Sequence, residues 1–78
     1  MNIMQACIDG DLEYVRKYID EGRDIETPDN WGQIALIRAS RHGRRNIVKL
    51  LVDRGASIEA RDDCGQTALM VASLHGHK

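Results

Sequence analysis

The fold of this chain is decided by residues 29–61, which read DNWGQIALIRASRHGRRNIVKLLVDRGASIEAR. When this stretch is aligned with the sequence that follows it, so that Asp29 is paired with Asp62, many residues are identical. An alignment with the preceding sequence at the same offset also gives identical residues. The forward matches include Asp29/Asp62, Gly32/Gly65, Gln33/Gln66, Leu36/Leu69, Ala39/Ala72 and His42/His75. The backward matches include Ala39/Ala6, Gly43/Gly10, Val48/Val15, Gly55/Gly22 and Ile58/Ile25. A fixed period of about 20 to 50 residues predicts a stacked array of similar units rather than one closed core.

The middle unit, residues 29–61, predicts one tight turn followed by two helices. Residues 29–32 form the turn, because the glycine at its end tolerates the positive φ that such a turn requires. Small and apolar residues then recur at helical spacing over 34–41, and a second, strongly apolar helix covers about 45–54. Gly55 ends that helix. The segment after it is expected to run extended, with Ile58 turned inward.

Two less complete units flank the middle one. Residues 1–28 begin inside their first helix and continue into a second over 12–21, with polar substitutions typical of an end-capping repeat. Residues 62–78 repeat the turn and a first helix over about 67–74, and the second helix of the repeat pattern does not follow. We therefore predict an all-α solenoid of stacked helix-turn-helix units with β-turn tips. It forms a single domain, and its third repeat is truncated after its first helix.

The missing helix predicts an uncovered apolar surface in the third unit. Leu69, Met70 and Val71 are expected to lack their usual cover, and an exposed helix face of this kind is an association site by default. Two interpretations stay open. The chain is a fragment of a longer array, or a second copy or a partner supplies the cover.

Charge is distributed unevenly along the chain. The net charge of −1 divides into −4 over residues 1–28, +4 over 29–61 and −1 over 62–78. Such an arrangement can steer a charged partner, or it can help neighbouring units to stack in order.

Composition also bears on the compartment. No apolar run approaches the roughly 18 residues of a membrane span, and the first residues do not resemble a secretory signal. Cys7 and Cys64 are too few for a disulfide scaffold, and we expect both thiols to be reduced. These features predict a protein of the cytoplasm or nucleus.

The repeated residues carry a family resemblance. The middle unit has Asp29 and Gly32 in its turn, Leu36 and Ala39 in its first helix, Gly43 between the helices, Ile47-Val48 and Leu50-Leu51 in the second helix, and Gly55-Ala56 after it. In this pattern the chain resembles the ankyrin repeat family over essentially all 78 residues. The family's Thr-Pro-Leu-His is replaced by residues 34–37, which read Ile-Ala-Leu-Ile. That loss predicts a middle turn held by packing.

The resemblance implies a recognition scaffold that binds a partner protein through the turn tips and the exposed, concave face of the first helices. Trp31 is the leading candidate for a partner-binding residue, because a large aromatic side chain on a rigid surface is a typical interface anchor. Its alternative role is to fold against the neighbouring turn. The partner-binding residues implied by the family pattern are Asn30, Trp31, Gln33, Arg41, His42, Arg61, Asp63, Cys64, Gln66, Leu74 and His75.

Four arginines form a dense basic cluster: Arg38, Arg41, Arg44 and Arg45. The preferred interpretation is that the acidic first unit neutralises part of this charge and that solvent covers the rest, and the next is a partner with an acidic patch. Nucleic acid is disfavoured, because only Trp31 is at hand for stacking and the pI is about 6.3. The histidines lack the spacing of a zinc site, so no metal is expected.

No catalytic motif is present in the sequence, and a stack of thin helices offers no deep pocket. We therefore predict a protein that is not an enzyme, without cofactor, small-molecule substrate or membrane. Two alternatives to a binding module remain. One is self-association through the uncapped third unit. The other is that the chain is the part of a larger enzyme or channel that targets it to its partner.

Overall fold

The computed structural model describes residues 2–76, which form five helices joined by turns and extended segments. The helices are α1 (Ile3–Asp9), α2 (Leu12–Asp20), α3 (Ala35–Arg41), α4 (Arg45–Asp53) and α5 (Ala68–Leu74). Within this range no strand is formed. The predicted all-α repeat architecture is confirmed, and each helix lies within one or two residues of its predicted position. The boundaries between units at 28/29 and 61/62 stay a prediction.

Short polar side chains begin three of the helices. Asn2 accepts a hydrogen bond from the backbone N–H of Gln5 at 2.8 Å, and Asp11 accepts one from Tyr14 at 3.1 Å. Thr67 caps α5 in the same way. Such a cap satisfies one of the N–H groups that a helix start leaves without a partner.

The helices lie in two layers. One layer holds α1, α3 and α5 in sequence, and the other holds α2 and α4. Helix α3 packs against α1, α4 and α5, and it supplies the fully buried Leu36 and Ile37. Ile47 and Leu51 of α4 and Val15 of α2 complete the centre of the core. Helix α3 of the middle unit is therefore sheltered from both sides.

The turns of the second and third units are joined to each other. In each turn an Asp backbone N–H donates to the carbonyl of the Gln four residues on, at 3.0 Å for Asp29 and 2.9 Å for Asp62. The N–H of Asp63 then donates to the carbonyl oxygen of Trp31 at 3.0 Å. This bond fixes the register of one turn on the next.

The expectation that packing holds the middle turn is wrong. The carboxylate of Asp29 accepts hydrogen bonds from the backbone N–H groups of Trp31 and Gln33 at 2.9 and 3.0 Å. It also pairs with Arg38 at 2.6 Å. Ile34, at the N-cap of α3, makes no capping hydrogen bond.

The uncovered surface of the third unit is partly as predicted. Leu69 and Met70 are exposed, at 77% and 44%, which confirms the expectation for those two side chains. Val71 is buried, in a helix that packs against α3, so its predicted exposure is wrong. Ile58 is 61% exposed and not turned inward, since the described residues contain no second helix after α5 to cover it.

No helix among residues 2–76 has both the length and the apolar character needed to cross a membrane.

Candidate docking surface

One surface brings together Trp31 and two of the four arginines that the sequence singled out. We call it the α3 face and define it by Trp31, Gln33, Arg38, Arg41 and His42. A cleft of about 240 Å³ opens on it, lined by the first four of these residues. Helix α3 supplies the arginines at helical spacing, and the preceding turn supplies Trp31, so the repeat itself places them side by side.

Trp31 combines a fixed backbone with an accessible ring. Its N–H donates to Asp29, and its carbonyl oxygen accepts from Asp63, which ties it to two successive turns. The side chain is nevertheless 64% exposed. The guanidinium of Arg38 lies 5.7 Å from the ring centroid, within reach of a cation–π contact. An aromatic group held in this way loses little freedom when it binds.

Arg38 and Asp29 form the closest ion pair of the described residues, and both side chains are largely buried. Burial alone would raise the pKa of the Asp29 carboxyl. The hydrogen bonds from Arg38 and from the N–H groups of Gln33 and Trp31 together outweigh burial and lower that pKa below its usual range. The pair links α3 to its own turn.

The position of Gln33 differs from the one predicted from the sequence. It was expected at the exposed turn tip among the contact residues, yet it is only 5% exposed. Its side-chain amide donates to a carboxylate oxygen of Asp62 at 3.4 Å, across to the next turn. Burial opposes the charge on Asp62, but the N–H groups of Gln66 and Cys64 and the Gln33 amide lower the pKa of that carboxyl. The role of Gln33 is to bridge neighbouring turns.

Arg41 and Arg44 reach to the units on either side. The guanidinium of Arg41 lies 3.0 Å from Nε2 of His75, and arginine can only donate, so the imidazole nitrogen accepts. Arg44 donates twice to the carbonyl oxygen of Ile8, at 3.0 and 2.7 Å. The two bonds of Arg44 go to a neutral carbonyl oxygen, so they leave the charge of that guanidinium in place.

His42 reports the electrostatics of this region. Burial lowers the pKa of its imidazole, and the charges of Arg38, Arg44, Arg41 and His75 lower it further. Polar atoms buried without a hydrogen-bond partner also occur here, at Nε of Arg38, Oε1 of Gln33 and Nε2 of His42.

The other predicted contact residues have different degrees of exposure. Exposed residues are Asn30, Arg61, Asp63, Cys64, Leu74 and His75, while Arg41, His42 and Gln66 are half-buried. Arg61 donates to the carbonyl of Gly65 at 2.8 Å, which holds it over its own turn. The structure brings Trp31, Arg41 and His75 together around the α3 face.

Arg38 was missing from the predicted contact residues, although it lines the cleft. Its spacing of three residues from Arg41 on one helix is a signal that could have identified it.

The remaining chemistry of the described chain is limited. A larger open cavity of about 590 Å³ lies along α2, between Asp11 and Glu21. The thiol of Cys7 is buried, and desolvation raises its pKa to about 12, against a smaller opposing effect of Arg38. Cys64 is exposed, and neither cysteine is in a disulfide. Residues 2–76 contain no group of three or more His, Cys, Asp or Glu side chains placed to hold a metal ion.

Comparison with solved structures finds many chains of the same fold. One is a chain in the solved complex of a predatory endopeptidase from Bdellovibrio bacteriovorus with an immunity protein, with a TM-score of 0.89 and 28% sequence identity. The match covers 95% of this chain and 39% of that one. No curated protein sequence matches the chain significantly.

The sequence model of a family described as ankyrin repeats, in three copies, matches residues 3–78. That match agrees with the repeat period that carries Asp29 onto Asp62, with the two layers of helices and with the linked turns. The chain therefore belongs to the ankyrin repeat family.

Proposed function

We propose that this chain is a protein-binding module and not an enzyme, and that it recognises a partner protein through Trp31 and the adjoining α3 face. Ankyrin repeats are protein-interaction modules, and the solved complex similar to this chain contains an immunity protein bound to another protein. The observation that carries the proposal is the 64% exposure of a tryptophan whose backbone is tied to two turns. Rigid aromatic side chains of this kind are enriched among the residues that dominate binding energy.

The net charge of +4 over residues 29–61 favours a partner with an acidic patch. The concave face and turn tips would provide the rest of the contact area, through the exposed residues named above. We propose no cofactor, small-molecule substrate or nucleic acid as ligand. With both cysteines free, the cytoplasm or nucleus is the proposed compartment. Within a longer protein, the same surface would bring an attached enzyme or channel to the partner.

Replacement of Trp31 tests the proposal. A partner captured by the immobilised chain should bind Trp31→Ala more weakly by about 2 kcal/mol or more, because the substitution removes the central anchor. The stability of the variant should be nearly unchanged, since the ring is exposed. Affinity is measured by isothermal calorimetry, and the free energy of unfolding by urea titration.

Val52→Ala is the matched control, because Val52 is an exposed apolar residue in the other helix layer. It should leave the affinity unchanged. A Trp31→Ala variant that keeps full affinity, or that loses affinity only because it unfolds, contradicts the proposal.

Self-association is a second candidate function, favoured by the exposed apolar side chains of Leu69, Met70 and Ile58. If a second copy covers them, the wild-type chain should sediment as a dimer at high concentration, and Leu69→Lys should restore the monomer. A wild-type chain that stays monomeric over the whole concentration range rules this candidate out.

A further inference from the structure

Two histidines and an arginine meet where the second unit packs against the third. Arg41 is the last residue of α3, His42 follows it, and His75 follows the last residue of α5. Nη1 of Arg41 lies 3.0 Å from Nε2 of His75, which joins residues 34 positions apart in the chain. We call Arg41, His42 and His75 the histidine cluster.

The contact between Arg41 and His75 requires a neutral imidazole. Arginine can only donate, so Nε2 of His75 has to supply a lone pair and the ring holds its proton on Nδ1. A protonated imidazole donates from both nitrogens and has no lone pair left to accept this hydrogen bond. Whatever else the two side chains contact, a proton on Nε2 of His75 therefore breaks the bond between the units.

His42 is the second proton-sensitive group of the cluster. Nε2 of its imidazole is buried and has no hydrogen-bond partner. A proton on this atom would create a buried, charged donor without an acceptor, which costs free energy. The neutral ring avoids that cost.

The surroundings of His42 also oppose its protonation. Burial is the first cause of the lowered pKa of its imidazole. The further causes are four side chains that are positive when protonated: Arg38, Arg44, Arg41 and His75. No carboxylate of the described residues is among the causes, so none of them compensates a charge on His42.

Three acids lie on the turns beside the cluster. Asp62 is buried and held by hydrogen bonds from its own turn, Asp29 pairs with Arg38, and Asp63 is exposed at the turn tip. The pKa values of Asp29 and Asp62 are lowered below 3.8, and Arg41 contributes the last of the causes for Asp62. These two carboxylates therefore keep their charge over the pH range in which histidine titrates.

The helices around the cluster add no other group that titrates in this range. Helix α5 has no charged side chain, since residues 68–74 read ALMVASL. The thiol of Cys7, in α1, has a pKa raised to about 12 and stays neutral.

Helix α5 is at the end of the described stack. Its main helix contact is with α3, and its Leu69, Met70 and Leu74 side chains are exposed. Opening of a terminal unit costs less free energy than unfolding of the whole chain. A penalty at the contact between α3 and α5 therefore displaces the third unit before it unfolds the first two.

We propose that the histidine cluster is a pH-sensitive switch, in which proton uptake by His42 and His75 releases α5 from α3. With both rings neutral, the hydrogen bond from Arg41 is made and the third unit is docked. With both rings protonated, that bond is lost and His42 carries a charge beside three arginines. This inference goes beyond the proposed function, because it concerns the free chain and needs no partner.

The direction of the effect follows from the linkage between proton binding and stability. The pKa of His42 in the folded chain lies below its ordinary value of 6.5. Its contribution to docking is therefore complete above that value and is lost as the pH falls through the folded-state pKa. Each unit of difference between the docked and released pKa changes the docking equilibrium tenfold.

Amide hydrogen exchange followed by NMR tests the switch at about pH 7.5 and about pH 5.5, on either side of the ordinary histidine pKa. The probe is the amide of Val71, which donates to Thr67 within α5, and the reference is the amide of Val48, which donates to Arg44 in the middle unit. Each rate is divided by the rate of the same residue in an unstructured peptide at that pH. Protection of Val71 should fall at least about tenfold on acidification, and protection of Val48 by less than about threefold. Equal falls at the two positions overturn the proposal, because they show a loss of stability in the whole chain.

Variants that cannot take up a proton assign the effect to the cluster. His75→Gln offers Arg41 an amide oxygen as acceptor, and His42→Gln removes the second titrating ring. In the double variant the fall in Val71 protection should be less than about threefold. A double variant that loses as much protection as the wild type contradicts the proposal.

His77→Gln is the matched control, because it removes a histidine that is not a member of the cluster and lies outside the described residues. It should keep the wild-type fall in protection, and a control that abolishes the fall overturns the proposal. Circular dichroism checks that each variant is folded. Should the double variant fail to fold, His75→Gln alone decides: a fall as large as that of the wild type overturns the proposal, and a smaller one supports it.

Discussion

At the scale of single residues, Asp29 organises the surface that carries Trp31. Its carboxylate accepts from two backbone N–H groups of its turn and pairs with Arg38 of α3. One side chain therefore connects the turn, the helix and the position of the aromatic ring. Asp62 occupies the same position in the next unit, and there Gln33 takes the place of the arginine.

We expect Asp29→Asn to lower the free energy of unfolding by about 2 kcal/mol at neutral pH, because it removes a charged hydrogen-bond acceptor from a largely buried network. Urea unfolding measures the change. Asp53→Asn, at an exposed position of α4, is the control and should stay within about 0.5 kcal/mol of the wild type.

The same substitution gives a prediction for acid pH. The pKa of Asp29 is lower in the folded chain than the ordinary value of 3.8, so its contribution to stability is complete above that value. The contribution is lost as the pH falls through the folded-state pKa. The stability gap between wild type and Asp29→Asn should therefore narrow in strong acid. If the difference in unfolding free energy stays constant down to strongly acid pH, the charge of the Asp29 carboxylate does not contribute to stability.

At the scale of elements, the stacking of one turn on the next depends on a glycine. Gly32 has φ of +73°, and a Cβ built there would lie 2.9 Å from the backbone nitrogen of Asp63 and against the Asp63 carboxylate. Gly65 has a similar φ of +77°, but no atom of the described chain comes within 4 Å of a Cβ placed there. Comparing substitutions at the two glycines therefore separates the energetic cost of the backbone conformation from the cost of the close approach between the turns.

We expect Gly65→Ala to cost about 1–2 kcal/mol, the strain of a left-handed conformation at a residue with a side chain. Gly32→Ala should cost clearly more, because it also displaces the third turn and its bond to Trp31. Thermal unfolding of the two variants measures the difference. Equal costs would show that the turns do not approach each other as described.

The elements also show how far local patterns reach. The five helices follow from apolar spacing, glycines and caps, all of which are features of neighbouring residues. The burial of Gln33 depends on Asp62 in the next turn, and a position at a turn tip gives no sign of it. The prediction that the Ile58 side chain turns inward is wrong for a related reason, because that orientation requires a helix that the described residues do not contain.

At the scale of the whole molecule, burial depends on having a neighbour on each side. Helix α3 lies between α1 and α5, and its apolar side chains are almost completely buried. Helix α5 has α3 on one side only, and its Leu69, Met70 and Leu74 are exposed. The repeat period predicted this difference, because it showed which unit is complete. The candidate site was predicted less well: the sequence identified Trp31 and Arg41, but not the Asp29–Arg38 ion pair that lies beside Trp31.

The central claim is that the units form a stack in which each shelters the next. Leu36 and Leu69 test it most directly, because they occupy the same repeat position and are 1% and 77% exposed. Urea unfolding should show Leu36→Ala less stable than the wild type by about 3 kcal/mol, or unfolded outright, whereas Leu69→Ala should stay within about 0.5 kcal/mol. Equal losses at the two positions would contradict the stacked arrangement.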